Sequence, residues 1–338
     1  MYADFYNLKA FPFQLTPDPR FFFGSTVHNR AVAHLTFGLE QGEGFIVITG
    51  DVGAGKTTLV GYLLSDLDPD LYISGKIVTT HLEGDDMLRM VTSAFGLQTE
   101  AVDKASLLRR LESFLEEVDR SGKRILLVVD EAQNLSVHAL EELRMLSNIQ
   151  FEDRTPLQLF LLGQPQFREI MATPDLEQLK QRVIVSHHLG PLSLQETRAY
   201  IEHRLTMAGW QHDPTFTDDA FKAIYGHSGG IPRRINVLCS RLLLYGFLEE
   251  AHELNGEIVD RVADEYARET AGTGTSNGAR PAEPELPEHH SGQPIERDDR
   301  EYLLQRIAEL DRQVKQHEAI IRKSLQIAVN YLETGTNR

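Results

Sequence analysis

The chain is short of cysteine, of long apolar runs and of any basic leader, and each shortage excludes a class of protein. Its one cysteine, Cys239, cannot form an internal disulfide, which favours a reducing compartment. The most apolar stretches, 125–129 and 157–162, are strand-sized and well below the ~18 residues of a membrane span. The first residues lack a basic region followed by an apolar one, so we expect no secretory signal. These shortages predict a cytoplasmic protein.

Positive charge is also scarce. Lysine and arginine number 34 against 50 aspartate and glutamate residues, a formal net charge of −16. This balance disfavours broad, nonspecific binding to nucleic acid or anionic lipid. Basic pairs at 109–110, 123–124, 233–234 and 322–323 leave local contacts with nucleic acid open. At 338 residues the chain exceeds one typical domain and can bury a sizeable core.

A phosphate-binding loop is the clearest motif present. Residues 50–57, GDVGAGKT, fit G-x-x-x-x-G-K-[ST], between the apolar run 45–49 and a helix-forming stretch. The glycines let backbone N–H groups wrap a phosphate, and the helix N-terminus adds partial positive charge. The motif predicts bound ATP and Mg²⁺. The predicted nucleotide-binding residues are Gly50, Asp51, Val52, Gly53, Ala54, Gly55, Lys56, Thr57, Thr58 and, from a later turn, Arg233.

Two residues of the loop and an acid pair carry the predicted chemistry. Lys56 would reach the β- and γ-phosphates, and the Thr57 hydroxyl would hold Mg²⁺. The apolar strand 125–129 ends in Asp130, which would also hold Mg²⁺, and Glu131, which would polarise the attacking water. Two acids capping a buried strand and facing solvent are the alternative. Beside a phosphate loop, the pair favours ATP hydrolysis over binding alone.

Three further polar residues are candidates for the same site. Gln164 follows the strand 157–162 and would contact the γ-phosphate or the attacking water, unless it is only a turn residue before proline. Arg182 precedes the predicted strand 183–189 and would act as an arginine finger on a neighbouring subunit's nucleotide, the alternative being a surface arginine. Arg233 opens a helix and would report whether the γ-phosphate is present, the alternative being a basic pair in a surface turn.

Strand and helix patterns alternate along residues 1–190 and predict an α/β domain. Such alternation produces a parallel sheet covered on both faces. The aromatic and proline-rich segment 1–30 is too apolar for disorder, so we expect it to pack on the core. The predicted strands are 45–49, 76–82, 125–130, 157–162 and 183–189, and the predicted helices are 30–41, 56–67, 84–95, 105–120, 136–149 and 165–171.

Beyond residue 190 the pattern predicts helices alone, at 193–208, 217–227, 232–249 and 256–267. We interpret 191–268 as a helical lid domain. Residues 269–300 are rich in glycine, proline, serine and glutamate, which predicts a disordered linker. Residues 301–334 space their apolar side chains by three and four, which predicts an amphipathic or coiled-coil helix. That helix would dock on a partner or fold back on its own body.

Five motifs in this order resemble those of the AAA+ ATPases related to general secretion pathway protein A. They are FQLTPDPR at 13–20, VITGDVGAGKTT at 47–58, DEAQNL at 130–135, LGQPQ at 162–166 and GIPRRIN at 230–236. The resemblance covers about residues 1–268. Its nearest branch is the one linked to exosortase (PEP-CTERM) and exopolysaccharide gene clusters in bacteria. It implies an AAA+ core with a helical lid, nucleotide at the subunit junction, and ring-like oligomers.

The resemblance also implies a role for each candidate residue: Walker A for Lys56 and Thr57, Walker B for Asp130 and Glu131, sensor 1 for Gln164, the finger for Arg182 and sensor 2 for Arg233. Gln164 departs from the asparagine, serine or threonine that is commoner at sensor 1. Membrane-tied secretion relatives carry a transmembrane segment and a peptidoglycan-binding module after the ATPase. Here the predicted linker and helix stand in that place, which suggests docking to an envelope or export partner through 301–334.

The predicted function is ATP hydrolysis that powers or regulates bacterial envelope export or exopolysaccharide assembly through nucleotide-dependent homo-oligomerisation. A DNA-associated ATPase of the transposition-regulator type is the alternative; those proteins share the core, but the net charge of −16 argues against it. A nucleotide-gated scaffold that hydrolyses little is a third possibility. We expect a cytoplasmic location, with a partner as the route to the periphery of the inner membrane.

Overall fold

A five-stranded parallel sheet forms the centre of the first 190 residues. The computed structural model describes residues 2–78, 84–100, 103–152 and 154–272. The strands are β1 (Phe45–Gly50), β2 (Tyr72–Val78), β3 (Arg124–Asp130), β4 (Leu157–Gly163) and β5 (Val183–Leu189). They lie in the order β2-β3-β4-β1-β5, and every neighbouring pair is parallel. The predicted α/β class with a parallel sheet is confirmed.

Helices cover both faces of this sheet. They are α2 (Thr26–Gln41), α3 (Lys56–Ser65), α4 (Gly84–Ala94), α5 (Lys104–Arg120), α6 (Val137–Leu146), α7 (Gln166–Met171) and α8 (Glu177–Lys180). The short first helix, α1 (Tyr2–Phe5), packs on the C-terminal helical part instead. Successive strand residues point to opposite faces. Ile46 and Ile48 therefore pack with residues of α2 and α3, whereas Phe45 and Val47 pack with residues of α4 to α8. Both faces are buried, which explains the continuous apolar runs of β1, β3 and β4.

The lid consists of α9 (Leu194–Met207), α10 (Asp218–Ser228), α11 (Pro232–Leu248) and α12 (Gly256–Gly272). It also contains two short parallel strands, β6 (Thr215–Phe216) and β7 (Glu253–Leu254). The prediction of helices alone after residue 190 was therefore wrong. Strands of two residues are too short to produce a period-two pattern, so no periodicity predicts them.

The boundaries of three elements differ by four or more residues from those predicted. Strand β2 begins at Tyr72 rather than 76, since residues from Tyr72 onward pair with β3. The prediction began too late because the polar Ser74 and Lys76 interrupt the apolar pattern. Helix α2 begins at Thr26, where the Ser25 side chain accepts the His28 N–H and caps the helix. Helix α12 extends to Gly272, past the boundary expected at 268. From residue 273 onward, the predicted linker and the predicted helix at 301–334 lie outside the described residues.

The N-terminal segment, residues 2–25, joins the lid to the core. Tyr6, Leu8 and Phe13 are buried in the apolar cluster of the lid. Further along, the Phe22 ring stacks on Tyr62 of α3, with ring centroids 4.2 Å apart. The segment was expected to pack on the core, but most of its apolar residues pack in the lid cluster instead. Within the described ranges, no helix is long and apolar enough to cross a membrane.

Candidate functional site

Three strands end at one edge of the sheet and deliver the candidate residues there. Strand β1 ends at Gly50, β3 ends at Asp130, and β4, which lies between them, ends at Gly163. The carboxyl ends of parallel strands are where α/β folds bind ligands. The phosphate loop, the acid pair and Gln164 therefore meet, although they are far apart in the chain.

The backbone of the phosphate loop requires glycine at two positions. Gly53 and Gly55 have left-handed φ angles of 84° and 99°. A Cβ atom at Gly53 would come within 2.2 Å of the Arg233 Cβ, and one at Gly55 within 3.0 Å of the His28 Nε2. The loop ends where α3 begins at Lys56, so the N-terminus of that helix faces the cleft. This arrangement suits a phosphate.

The Lys56 side chain lies across the loop. Its Nζ donates to the carbonyl oxygens of Gly50, at 2.7 Å, and Asp51, at 3.0 Å. Burial lowers the pKa of the Lys56 ammonium, and the nearby charges of Glu131, Asp130 and Asp51 oppose that shift. The lysine is 8% exposed and lines the cleft, so a phosphate bound there would meet its charge with little water between.

Thr57 and Asp130 form a candidate magnesium site. The Thr57 Oγ1 donates to the Asp130 Oδ2 at 2.9 Å, and the Lys76 Nζ lies 3.6 Å from the same carboxylate oxygen. Hydroxyl and carboxylate oxygens are the ligands that Mg²⁺ prefers, and it takes few of them from the protein beside a phosphate. The donor set and its position next to the loop fit the metal predicted from the sequence.

Glu131 lies beside this pair and is bonded by two amide side chains. The Gln164 Nε2 donates to the Glu131 Oε2 at 3.2 Å, and the Gln133 Nε2 donates to the same oxygen at 2.5 Å. Gln164 thus contacts Glu131 without lining the cleft itself. Its contact with the γ-phosphate or the attacking water stays a prediction. Gln133 was missed as a site residue, although it stands in the DEAQNL motif, because the motif alone gives no contact for it.

His28 is a second residue that the sequence did not reveal. The ring is 6% exposed; its Nε2 lies 3.3 Å from the Ala54 carbonyl oxygen and its Nδ1 2.7 Å from the Ser25 hydroxyl. A carbonyl oxygen can only accept, so Nε2 carries the proton and Ser25 donates to Nδ1. Burial lowers the pKa of His28, which favours this neutral form. The histidine therefore bonds to the phosphate loop, and it also lines the cleft.

The N-terminal segment and the lid complete the cleft. Lid residues Tyr200, Arg204, Asn236 and Arg233 line it together with the phosphate loop. The Arg233 N–H donates to the Gly53 carbonyl oxygen at 3.1 Å, which ties the first turn of α11 to the loop. The N-terminal residues that line the cleft are Gln14, Leu15, Thr16, Pro17, Asp18, Phe21, Phe22 and Phe23.

Arg204 anchors the N-terminal segment to the lid. The side chain is 7% exposed; it donates through Nε to the Pro12 carbonyl oxygen and through Nη1 to the Tyr200 hydroxyl, at 2.9 Å. The guanidinium carbon also lies 4.9 Å from the centre of the Phe21 ring, a cation–π contact. Tyr200 in turn donates to the Asn236 Oδ1 at 2.9 Å. No short sequence motif predicts this hydrogen-bond network.

Most of the predicted nucleotide-binding residues line the cleft. Val52, Gly53, Gly55, Lys56, Thr57, Thr58 and Arg233 do so. The other three predicted loop residues contribute backbone carbonyl oxygens: those of Gly50 and Asp51 accept from Lys56, and that of Ala54 accepts from His28.

Arg182 is the predicted site residue that the fold keeps away from this cleft. It precedes β5, and its carbonyl oxygen accepts the N–H of Phe45, at the start of β1. Its Nη2 donates to the Ser147 carbonyl oxygen at 3.2 Å. Strand β1 separates Phe45 from Gly50 by five residue steps, about 16 Å. Arg182 therefore lies at the opposite edge of the sheet from the phosphate loop of its own chain.

A parallel sheet of this order, a phosphate loop after β1, an acid pair at the end of β3 and a helical lid over the cleft define an AAA+ P-loop ATPase. The family described as AAA domain matches residues 39–171. Over 261 residues the chain is 38% identical to general secretion pathway protein A of Aeromonas hydrophila, an alignment covering 76% of this chain and 47% of that protein.

Two solved structures share the fold. The Aeropyrum pernix ORC2 protein matches with a TM-score of 0.59 at 16% identity, over 75% of this chain and 71% of that chain. The Walker-type ATPase of Pyrococcus abyssi matches with a TM-score of 0.56 at 14% identity, over 78% of each chain. Similarity at these identities shows the fold alone.

The chain belongs to the AAA+ ATPases related to general secretion pathway protein A. The resemblance to the AAA+ ATPases related to general secretion pathway protein A is thereby confirmed. The chain spans about half the length of the curated relatives it matches.

Proposed function

We propose that this protein binds ATP with Mg²⁺, hydrolyses it to ADP and phosphate, and works as a homo-oligomer in a bacterial envelope export system. The observation that carries this proposal is the meeting of Lys56, Thr57, Asp130 and Glu131 in one cleft that a lid arginine, Arg233, also faces. The relationship to general secretion pathway protein A supports a secretion role. The link to exosortase and exopolysaccharide assembly rests on the five sequence motifs.

In the proposed reaction, the loop N–H groups and Lys56 hold the β- and γ-phosphates, and Glu131 polarises the attacking water. Thr57 and Asp130 would hold Mg²⁺, which supplies charge neutralisation at the phosphates when bound. Gln164, bonded to Glu131, would lie near the water or the γ-phosphate. Arg233, at the start of α11, would contact the γ-phosphate, so the lid would respond to hydrolysis.

Arg182 would act on the nucleotide of a neighbouring subunit. Its position at the opposite edge of the sheet puts the cleft of its own chain beyond the reach of its side chain. An arginine finger supplied by a neighbour raises phosphoryl-transfer rates by about 10³–10⁵. Such a finger requires an oligomer, and AAA+ proteins commonly form one.

Mixing two inactive variants tests the shared site. Arg182→Ala keeps its own acids but lacks the finger, and Glu131→Gln keeps the finger but lacks the acid. In random mixed oligomers about a quarter of the sites would pair an intact acid with an intact finger, so ATPase activity should return on mixing. Mixed activity that equals the average of the two separate variants would contradict a finger acting between subunits.

The segment that we propose to contact an export partner lies outside the described residues. The segment 301–334 places Leu303, Ile307 and Leu310 at helical spacing, and we propose that it docks on an envelope or export protein at the cytoplasmic side of the inner membrane. Replacing Leu303 and Leu310 by glutamate should abolish recovery of the protein with membranes and leave the ATPase rate unchanged. A parallel loss of ATPase activity would argue against a separate docking segment.

A further inference from the structure

Gln133 joins the ends of two neighbouring strands through its side chain. Its Nε2 donates to the Glu131 Oε2 at 2.5 Å, at the end of β3. Its Oε1 accepts the backbone N–H of Gln164 at 3.0 Å, at the end of β4. One partly buried amide therefore links the carboxylate proposed to act on water with the strand end that carries Gln164.

The chemistry of its partners fixes the orientation of this amide. An ionised carboxylate oxygen only accepts, and a backbone N–H only donates. A reversed Gln133 amide would therefore break both bonds. The Gln164 Nε2 also donates to the Glu131 Oε2, so this one carboxylate oxygen accepts from the side-chain amides of both Gln133 and Gln164. The Gln164 backbone N–H in turn donates to the Gln133 Oε1, which connects the two glutamines to each other.

The backbone at Glu131 explains why the side chain needs such support. Its φ of 56° is left-handed, a conformation that side-chain-bearing residues adopt uncommonly and at some energetic cost. The Asp130 Oδ1 accepts the Glu131 N–H at 3.0 Å, and the turn Ala132–Asn134 follows immediately. These contacts hold the backbone, whereas Gln133 and Gln164 hold the carboxylate.

We propose that Gln133 is a positioning residue for ATP hydrolysis. It holds the Glu131 carboxylate toward the attacking water and couples that carboxylate to the position of Gln164. Gln133 does not line the cleft, so it acts through Glu131 and not on the nucleotide. The inference rests on the proposed function, because it requires Glu131 to work in hydrolysis.

The test compares Gln133→Met with Gln133→Glu in the full chain. Methionine has nearly the length of glutamine but makes neither bond, whereas glutamate can still accept the Gln164 N–H but offers Glu131 a second carboxylate. Both variants should lower kcat at least about tenfold while KM and the Kd of a fluorescent ATP analogue stay within about twofold, since a displaced Glu131 carboxylate would stabilise the transition state less and leave ATP binding intact. Asn134→Ala, on the same turn, should keep the wild-type kcat.

A wild-type kcat in Gln133→Met would overturn the inference, because a side chain of similar length without the two hydrogen bonds would then support hydrolysis equally well. If Gln133→Met also loses ATP binding or folds poorly, Gln133→Glu decides: retained kcat overturns the inference, and lost kcat with retained binding supports it. Failure of the proposed function looks different. In that case the wild type itself would hydrolyse no ATP, or Glu131→Gln would hydrolyse it as fast as wild type.

Discussion

The backbone N–H of Arg233 donates to the carbonyl oxygen of Gly53 at 3.1 Å, so the lid touches the phosphate loop directly. Each residue belongs to a different part of the chain, one to the first turn of α11 and the other to the loop after β1. A change in the loop backbone on binding or losing a phosphate would therefore act directly on the first turn of α11. This contact offers a short physical route from nucleotide state to lid position.

Gly53→Ala should break that contact and weaken ATP binding about tenfold or more. The new Cβ would lie 2.2 Å from the Arg233 Cβ, in a backbone conformation with φ of 84°. Gly122→Ala is a matched control, because Gly122 has a similar φ of 77° but no heavy atom near its Cβ position. Titration with a fluorescent ATP analogue measures both. Equal affinities in the two variants would mean that the close approach to Arg233 is unimportant.

The stability of the protein should fall as the pH drops below about 6.5, and His28 should account for part of the loss. Burial lowers its folded-state pKa, so the unfolded chain binds more protons below that pH and unfolding is favoured. The stabilisation is fully present above the unfolded pKa and disappears as the pH falls toward the folded one. Its slope is at most about 1.4 kcal/mol per pH unit for one group.

Urea unfolding at pH 7.5 and pH 5.5 measures this effect. His28→Gln keeps a donor for the Ala54 carbonyl oxygen but cannot titrate. The variant should therefore lose less free energy of unfolding between the two pH values than the wild type. Identical losses would assign the pH dependence to other groups, such as His187 and His203, whose pKa values burial also lowers.

Arg204→Lys should lower the free energy of unfolding by about 1–3 kcal/mol and weaken ATP binding. Lysine cannot reproduce the fork that reaches both the Pro12 carbonyl oxygen and the Tyr200 hydroxyl, so the N-terminal segment would lose its anchor on the lid. Arg198→Lys is the control: Arg198 pairs with Glu202 and Asp218 at the surface, where such pairs contribute little. Equal effects in thermal unfolding would contradict a special role for Arg204.

Double-stranded DNA should leave the ATPase rate unchanged at moderate salt. The net charge of −16 opposes the counterion release that drives binding to the phosphate backbone. The rate with and without DNA, measured at two salt concentrations, checks this expectation. Stimulation that declines steeply with salt would revive the alternative of a DNA-associated ATPase.

The site residues that could be predicted from the sequence belong to short motifs of consecutive residues. The loop occupies eight consecutive residues, from Gly50 to Thr57, and the pair Asp130 and Glu131 directly follows an apolar run. Their meeting at one sheet edge follows from parallel strand order. The parallel sheet itself was predictable because buried strands and amphipathic helices alternate.

The residues that the sequence did not reveal act across long separations. His28 meets Ala54 over 26 positions, and Arg204 meets Pro12 over 192. Gln133 is adjacent to the acid pair, yet its importance arises from Gln164, 31 residues later. Such contacts depend on how the segments pack, and neither periodicity nor a short motif records that packing. The two strands of the lid, β6 and β7, were missed because each has only two residues.

The most direct test of the central claim is the steady-state ATPase rate per subunit as a function of protein concentration, for the wild type, Glu131→Gln and Arg182→Ala. An active site shared between subunits should give a wild-type rate that rises with concentration as subunits associate, and a rate reduced at least about a hundredfold in both variants. A wild-type rate independent of concentration, with Arg182→Ala fully active, would contradict an active site shared between subunits.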